Sequence, residues 1–491
     1  MTGVLVSPNV NVAYRRKELL TAISRYTIIR DCLGGEETVK AKKSTYLPIP
    51  NESDESDESS QRYDSYLKRA VFYNVTKRTL DGLCGQIFMR DPVVEVPNDL
   101  DIVVNDANGN GVGLTQLAKA AATLVVGLGR AGIFVDYPAV DGPVTKEQLA
   151  TGDIRPTIRL YEPEQIINWR VITRGAKTVL SLIVLEEDQP ELDDGFQITT
   201  KKQWRVLRLI GDVYTVELWK QDTEKGGYAR INTYIPRNAA GATLRDIPFS
   251  FIGAANNDYT VDDAPMYDIA ALNIAHYRNS ADYEESSFLC GQPTPVFTGL
   301  SEDWVKNVLK GKVKLGARAA VSLPEGGDAK LLQATSNTMP FEAMQHKERQ
   351  MVALGARIVE QKTVVRTATE SGYDQATESS ILASAAKNIS AVLTWALNRC
   401  ADYMGVQVGG EETKVEFSLN TDFDIATMSA DDRRQLLAEW QGGLIAWEEA
   451  RAGLRKAGVA TLDDDKARTV IDDEFATIPG LQDTVTGGTT A

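Results

Sequence analysis

Two long helical stretches that enclose a proline-opened insert constrain this 491-residue chain more than any other feature. Over residues 264–289 the first half carries an apolar stripe (Met266, Ile269, Leu272), whereas the second half, RNSADYEESS, is polar nearly all round. At 1.5 Å per residue such a helix is about 40 Å long. A second helix, predicted over 340–361, places Phe341, Met344, Met351 and Ile358 near heptad spacing with charges between them. Between the two, residues 291–336 open with Pro293 and Pro295, include the basic helical stretch SEDWVKNVLKGK, and end in a strand pair expected around LPEGGD. A helix that is polar on every side projects from the core or packs against copies of itself.

The remainder reads as α+β. A helix is expected over 11–33, with Tyr14, Leu19, Leu20, Ile23 and Ile28 on one side, stopping at Gly34-Gly35. The acidic run NESDESDESS, residues 51–60, cannot bury anything and is expected as a mobile loop. One helix should follow over 62–85 (Tyr66, Ala70, Tyr73, Leu80, Leu83), another over 114–126, then a short strand over 131–137. Residues 157–235 change period: TIRLYEP, TVLSLIVLEE, QWRVLRLI, VYTVELWKQ and YARINTYIP are strand-like runs parted by turn residues, an antiparallel hairpin region. Residues 362–378 have no period, and loops of that length are usually functional or disordered. After them Leu382, Ala386, Ile389, Leu393, Ala396, Leu397, Cys400 and Met404 form one helical face, capped by Ser379 or Ser380. A helical pair over 429–457 breaks at Gly442-Gly443, and the end after about 476 is expected to fray.

Composition excludes several functions. The 53 Lys+Arg against 68 Asp+Glu leave a formal charge of -15, unlike a protein that wraps nucleic acid by neutralising phosphates. Four cysteines, Cys32, Cys84, Cys290 and Cys400, lie far apart without metal-ligand spacing, which reads as unpaired thiols in a reducing compartment. Two histidines, His276 and His346, argue against a metalloenzyme or a histidine-based hydrolase. The N-terminus lacks a signal-peptide core, no stretch is long and apolar enough to span a membrane, and no repeat of solenoid period is visible.

Gly127-Leu128-Gly129-Arg130-Ala131-Gly132 matches the GxGxxG dinucleotide fingerprint, but it follows a helix and precedes a strand. That order reads as a helix C-cap turning into a strand. The carboxylate runs Glu186-Glu187-Asp188, Asp262-Asp263, Asp463-Asp464-Asp465 and Asp472-Asp473-Glu474 have no partner motif and read as solvated turns and helix N-termini. No catalytic constellation is present, and no cofactor or metal is expected. The basic window Lys306, Lys310, Lys312, Lys314 and Arg318 holds no acid from Trp304 onwards and reads either as a solvated face or as a contact with an acidic partner or nucleic-acid backbone.

Five blocks carry a resemblance to a known family: Ile29-Arg30-Asp31 ahead of Gly34-Gly35, Tyr46-Leu47-Pro48, KRTLDGLCGQIF (Lys77 to Phe88), YEPEQIINWR (Tyr161 to Arg170) and LNIAHYRNSADYEESSFLCGQPTPVFTG (Leu272 to Gly299). Over about residues 11–457 the chain resembles the portal protein of tailed phages, the head-to-tail ring through which double-stranded DNA enters and leaves the capsid.

The resemblance implies an α+β portal-type fold with a mixed wing over 1–255, stem helices over 256–290 and 337–361, and a clip over 291–336. It further implies a tunnel loop over 362–379, a wing return helix and inner wing over 380–457, and a short crown or flexible acidic tail over 458–491. Lys362, Arg366, Thr367, Thr369 and Tyr373 would face the DNA channel. The window Lys306 to Arg318 would be the clip docking surface, and His276, Tyr277, Arg278, Asp282, Phe341, Met344 and Met351 would belong to the stem. The implied partners are copies of the chain in a ring of about twelve, DNA bound without sequence preference, the terminase large subunit, a head-completion adaptor, and the major capsid protein with its scaffold; no membrane is involved. The implied location is the virion's portal vertex, with host cytoplasm during assembly. The role is structural, ATP hydrolysis belonging to the terminase. Two alternatives stay open: a nucleotide-binding oxidoreductase resting on residues 127–132, and another virion structural or adaptor protein.

Overall fold

The computed structural model describes residues 11–51, 53–54, 56–138, 154–222, 226–292, 294–309, 323–333, 337–359, 380–410, 413–421, 423, 430–456, 459–460, 462 and 464–477. The chain divides into two compact units, Met1–Thr421 and Asp422–Ala491. It is a mixed α and β protein.

The first unit is built on one central helix. The helix α9 (Ile381–Met404) starts at Ser380, whose hydroxyl accepts the Ala383 N–H, and ends in Gly405 with left-handed backbone. The expected face is the buried one: Leu382, Ala386, Ile389, Leu393, Ala396, Leu397 and Cys400 are all closed to solvent. That face packs on α6 (Leu114–Leu128) and on a three-stranded antiparallel sheet in the order β3 (Thr157–Tyr161), β2 (Arg130–Asp136), β9 (Phe249–Gly253). Beside the middle of α9, where Thr394 and Ser390 bond the backbone of Phe417 and Leu419, β1 (Val93–Glu95) pairs with β12 (Glu416–Ser418).

The fingerprint glycines serve packing. α6 ends at Gly129, whose φ of +80° is left-handed and whose N–H donates to the Val125 carbonyl at 2.8 Å. The next residue begins β2, so helix leads into strand and no helix N-terminus is available to a pyrophosphate. A Cβ at Gly129 would sit 2.5 Å from the Asp263 carbonyl oxygen, and one at Gly132 would meet Phe249 and Ile166 at 2.5 and 2.7 Å. Gly129 therefore excludes a side chain, because backbone blocks it and its φ is left-handed, while at Gly132 the Phe249 and Ile166 side chains would have to shift.

The strand-rich segment forms a five-stranded antiparallel meander: β4 (Ile166–Arg174), β5 (Lys177–Asp193), β6 (Ile198–Ile210), β7 (Val213–Gln221) and β8 (Tyr228–Tyr234). TIRLYEP lies apart from it, since β3 joins β2, and β4 supplies a strand inside the YEPEQIINWR block that its sequence pattern did not reveal. Glu186-Glu187-Asp188 is no solvated turn. Glu187 is buried in mid-strand, where it accepts from the Tyr161 hydroxyl at 2.6 Å and from Arg205 Nε at 2.8 Å. A buried carboxylate is tolerated because both partners are fixed by neighbouring strands. Burial works against the charge of Arg205, yet Glu187 and Asp136 outweigh it and hold the guanidinium above its ordinary range.

The N-terminal helices depart from expectation in three places. α1 (Lys17–Leu33) begins six residues later than the pattern implied, and Leu19, Tyr26, Ile29 and Cys32 face inward while Tyr14 and Leu20 are exposed. After the short α2 (Glu36–Ala41), the acidic run is partly helical: α3 (Asp57–Arg69) starts inside it because Ser56 accepts the Ser59 N–H and Asp57 and Glu58 occupy the favourable first turn. The single helix predicted over 62–85 is two, α3 and α4 (Val75–Ile87). The short α5 (Asp101–Asn105) precedes α6.

Both predicted long helices are present as α7 (Tyr267–Gly291) and α8 (Met339–Val359). The insert between them is closed at its base by β10 (Thr294–Thr298) paired with β11 (Asp328–Leu332). The expected hairpin around LPEGGD is thus corrected, because that turn only leads into β11, whose partner lies at the other end of the insert. Of the basic stretch, Glu302–Trp304 and Val305–Leu309 are helical.

In the second unit, α10 (Ala430–Gln441) and α11 (Trp447–Lys456) flank Gly442-Gly443 as expected. A third helix, α12 (Asp464–Thr477), lies in the stretch expected as a short crown or flexible acidic tail. It is clamped to α11 by Arg455–Asp464 at 2.9 Å and by Arg468, which pairs with Glu448 and lies 4.8 Å from the Trp447 ring centre.

Candidate assembly interface

Residues of α7 organise the surroundings of the long-helix pair. The order of contacts fixes the pair as antiparallel: His276 Nε2 lies 3.2 Å from Glu348 Oε1, Asn279 accepts from Lys347, and the Tyr283 and Phe341 rings are 5.8 Å apart. Met351 and Ile358 on α8 are buried, Met344 is half-buried, and Phe341 is exposed. His346 is exposed and does not meet His276.

The inner half of α7 explains why the preceding helix breaks. Asn273 is fully buried; its carbonyl oxygen accepts from the Thr76 N–H and hydroxyl at 3.1 and 2.9 Å, and its amide donates to the Tyr73 carbonyl at 2.8 Å. Ser280 accepts the Val71 N–H and donates to the Val71 carbonyl. These two side chains fix the non-helical backbone of residues 70–74 and the first turn of α4, which Asn74 caps. Tyr277 packs edge-on to Phe72 with ring centres 6.0 Å apart.

The polar second half of α7 was expected to wait for copies of the chain. The structure covers part of it from within: the Tyr66 hydroxyl donates to Asp282 at 2.6 Å, and Arg69 pairs with Glu285 while lying 4.2 Å from the Phe288 ring centre. Burial, then the hydrogen bond to Asp282, push the Tyr66 phenol well above its ordinary range.

The blocks that carried the sequence resemblance meet one another here. Arg278 Nε donates to the Tyr46 carbonyl at 2.7 Å, the Tyr46 hydroxyl donates to buried Asp31 at 2.6 Å, and neighbouring Arg30 pairs with Glu162 and Glu164 at 2.9 and 2.6 Å. Tyr66, Asn273 and Glu348 were missed by sequence reasoning. Their only signal was helical spacing, which does not reveal a partner far along the chain.

Beyond Ala281 no residue of α7 is buried, so the helix continues out of the core for ten residues to Gly291, about 15 Å. At that end every residue of β11 is exposed. Leu331 and Leu332 are 65% and 68% exposed, Met339 is 73% exposed, and Phe288, Leu289 and Phe341 are exposed as well. Lys306 is exposed and pairs with Glu302 at 3.4 Å. Lys310, Lys312, Lys314 and Arg318, and all five loop residues Lys362, Arg366, Thr367, Thr369 and Tyr373, lie outside the described residues. Among the described residues no group of His, Cys, Asp and Glu could hold a metal ion, and no helix is long and apolar enough to cross a membrane.

Residues 265–404 match a family described as a domain of unknown function, DUF4055, a span that runs from the start of α7 to the end of α9. No curated protein matches the chain. Among solved structures it is similar to a chain of the neck of a native GTA particle computed with C12 symmetry, at 14% identity over 79% of this chain and 92% of that one, with a TM-score of 0.40. It is also similar to a chain of the virion of a native gene transfer agent particle, at 16% identity over 88% and 100%, with a TM-score of 0.40. A chain from the neck of an empty GTA particle computed with C6 symmetry is 14% identical over 81% and 93%, with a TM-score of 0.39. At this level of superposition the likeness fixes neither fold nor role.

Proposed function

We propose that the chain is the subunit of a portal ring, with α7 and α8 as its stem and the β10–β11 insert as its clip. One observation carries the reading: an antiparallel helix pair leaves the core and bears at its far end a small, solvent-exposed sheet rimmed by large apolar side chains. Exposed apolar area of that kind is a liability in a lone subunit and an asset where neighbours cover it. In this reading residues 362–379 line the channel, and the lysines of residues 306–318 face the terminase large subunit and later the head-completion adaptor. The wing meets the capsid protein and its scaffold, the ring sits at the virion's portal vertex, and DNA slides through a conduit that grips few phosphates.

The oxidoreductase alternative has no support from the geometry, because Gly129 closes a helix and Gly132 packs a sheet. The experiment is the mass of the purified protein, with negative-stain images. Closed rings of roughly twelve copies with a central hole are expected; a monomer at all concentrations overturns the reading.

A further inference from the structure

The meander sheet ends in two complementary surfaces. β5 and β6 continue as a bare ribbon: pairing with β4 stops at Leu185 and with β7 at Gln203, yet β5 and β6 stay paired from Asp188↔Lys202 to Asp193↔Ile198, with one register shift after Pro190. Five residue pairs, interrupted by a bulge at Glu191, correspond to about 17 Å of ribbon beyond the last buried pair, Glu187 and Gln203. A two-stranded ribbon has no core of its own. Its tip is built to present one side chain, since the Asp194 carboxylate accepts the N–H groups of Phe196 and Gln197 at 2.8 and 2.6 Å, and Phe196 stands fully exposed. Those two hydrogen bonds keep the Asp194 carboxyl below its ordinary range, so the tip is anionic as well as aromatic.

At the opposite end of the same strand lies a cavity of about 470 Å³, lined by Arg174, Lys177, Trp395, Arg399 and Phe249, with Asp246 as the acid among its walls. Asp246 pairs with Arg174, Arg399 lies 5.9 Å from the Trp395 ring centre, and Lys177 makes no ion pair among the described residues. Arg174 also pairs with Asp212 and Arg399 with Asp402, so Lys177 is the cation left for an incoming carboxylate, set among aromatic and apolar walls.

We propose that the acidic, aromatic tip around Phe196 of one copy docks in the Lys177–Trp395–Arg399 cavity of the next, a head-to-tail contact that rests on the ring reading above and names surfaces for it. Because β5 runs from the cavity at Lys177 to the tip after Asp193, the two surfaces are separated by about 50 Å of extended strand and cannot meet within one copy. Unlike surfaces at two ends of one rigid sheet associate heterologously, and such contacts close into rings when the rotation allows. Opposite charge sets the register of approach and disfavours tip-to-tip pairing.

The test places Cys at Phe196 and at Thr178, an exposed cavity residue, in the full chain carrying Cys84→Ser and Cys290→Ser, since both native thiols are half-exposed. A short bismaleimide is added to Phe196→Cys, Thr178→Cys and the double variant, while mass photometry follows assembly. A ladder of covalent multimers from the double variant alone is expected. Rings that form without a ladder overturn this contact and leave the ring reading standing, and a ladder that stops at dimers overturns the head-to-tail geometry. Monomers with no ladder overturn both. As a second measurement, Lys177→Glu with Arg399→Glu should raise the concentration for half-assembly at least tenfold; an unchanged value counts against the cavity as acceptor.

Discussion

His276 and Glu348 join the two long helices along the buried half of α7: the imidazole is 2% exposed, its Nε2 is 3.2 Å from the carboxylate, and its Nδ1 has no hydrogen-bond partner among the described residues. Facing a carboxylate oxygen, which only accepts, Nε2 is the donor of this contact. Removing the acceptor leaves a buried N–H beside a carboxylate position that water can reach, since Glu348 is half-exposed. Glu348→Ala should therefore cost about 1 kcal/mol, and Glu348→Gln, which keeps an acceptor oxygen, should cost less. Urea midpoints of the two variants check the order; equal losses would show that the contact is incidental.

The bond between Tyr66 and Asp282 should be the larger one, because both have a buried donor and a carboxylate acceptor but this one is shorter, 2.6 against 3.2 Å. Tyr66→Phe is expected to lower stability by about 1–2 kcal/mol. If the loss is the hydrogen bond rather than packing, adding Asp282→Asn to Tyr66→Phe should add little, a non-additivity read from the double-mutant cycle.

The same hydroxyl predicts a pH dependence. Burial first, and then bonds to Asp282 and Asp31, raise the phenols of Tyr66 and Tyr46 above the ordinary value of 10.0. In the window above that value the unfolded chain has lost protons that the folded chain still holds. Their stabilisation is complete below pH 10 and declines as pH rises toward the folded values. Unfolding midpoints should fall between about pH 8 and about pH 10.5, and Tyr66→Phe should make the fall shallower. An unaltered slope would remove Tyr66 from the account.

Gly129→Ala and Gly132→Ala separate two kinds of steric demand. At Gly132 the obstacles are the Phe249 ring and the Ile166 methyl, which can shift, so overpacking of about 1–3 kcal/mol is expected. At Gly129 the obstacle is the Asp263 backbone and φ is +80°, so the loss should be greater. Thermal unfolding ranks them. Neither the parent chain nor the variants should be stabilised by a dinucleotide, and a saturable shift would revive the oxidoreductase reading.

These positions also show what the sequence made legible. The face of α9 was readable because a helix buried on one side repeats its apolar residues at fixed spacing, and Leu382, Ile389 and Leu393 obey that spacing. The order helix, insert, helix was readable for the same reason. The break at 70–74 was not, because its cause is Asn273 and Ser280, some 200 residues later in the chain. The burial of Glu187 was hidden likewise, since the Arg205 and Tyr161 that neutralise its cost come from other strands. Periodicity reports an element's own face; it is silent on polar partners brought together by topology.

Thiol chemistry offers the last check. Burial pushes Cys32 up to about 12 and Cys84 up to about 11, and it pushes Cys400, closed to solvent inside α9, higher still. At pH 8 thiolate is on the order of one part in a thousand or less for such groups, and the thiolate is the reactive form. Cys290 is half-exposed like Cys84, but it stands near the outer end of α7, next to β10 and beyond the last buried residue of that helix. A disulfide-exchange reagent should therefore label Cys290 first in the folded chain and all four cysteines in denaturant. Mass spectrometry of labelled peptides locates the sites. In an assembled ring, labelling of Cys290 should slow relative to dilute monomer if neighbouring copies cover the outer end of the helix pair. Equal rates in the two states would place the subunit contact elsewhere on the chain.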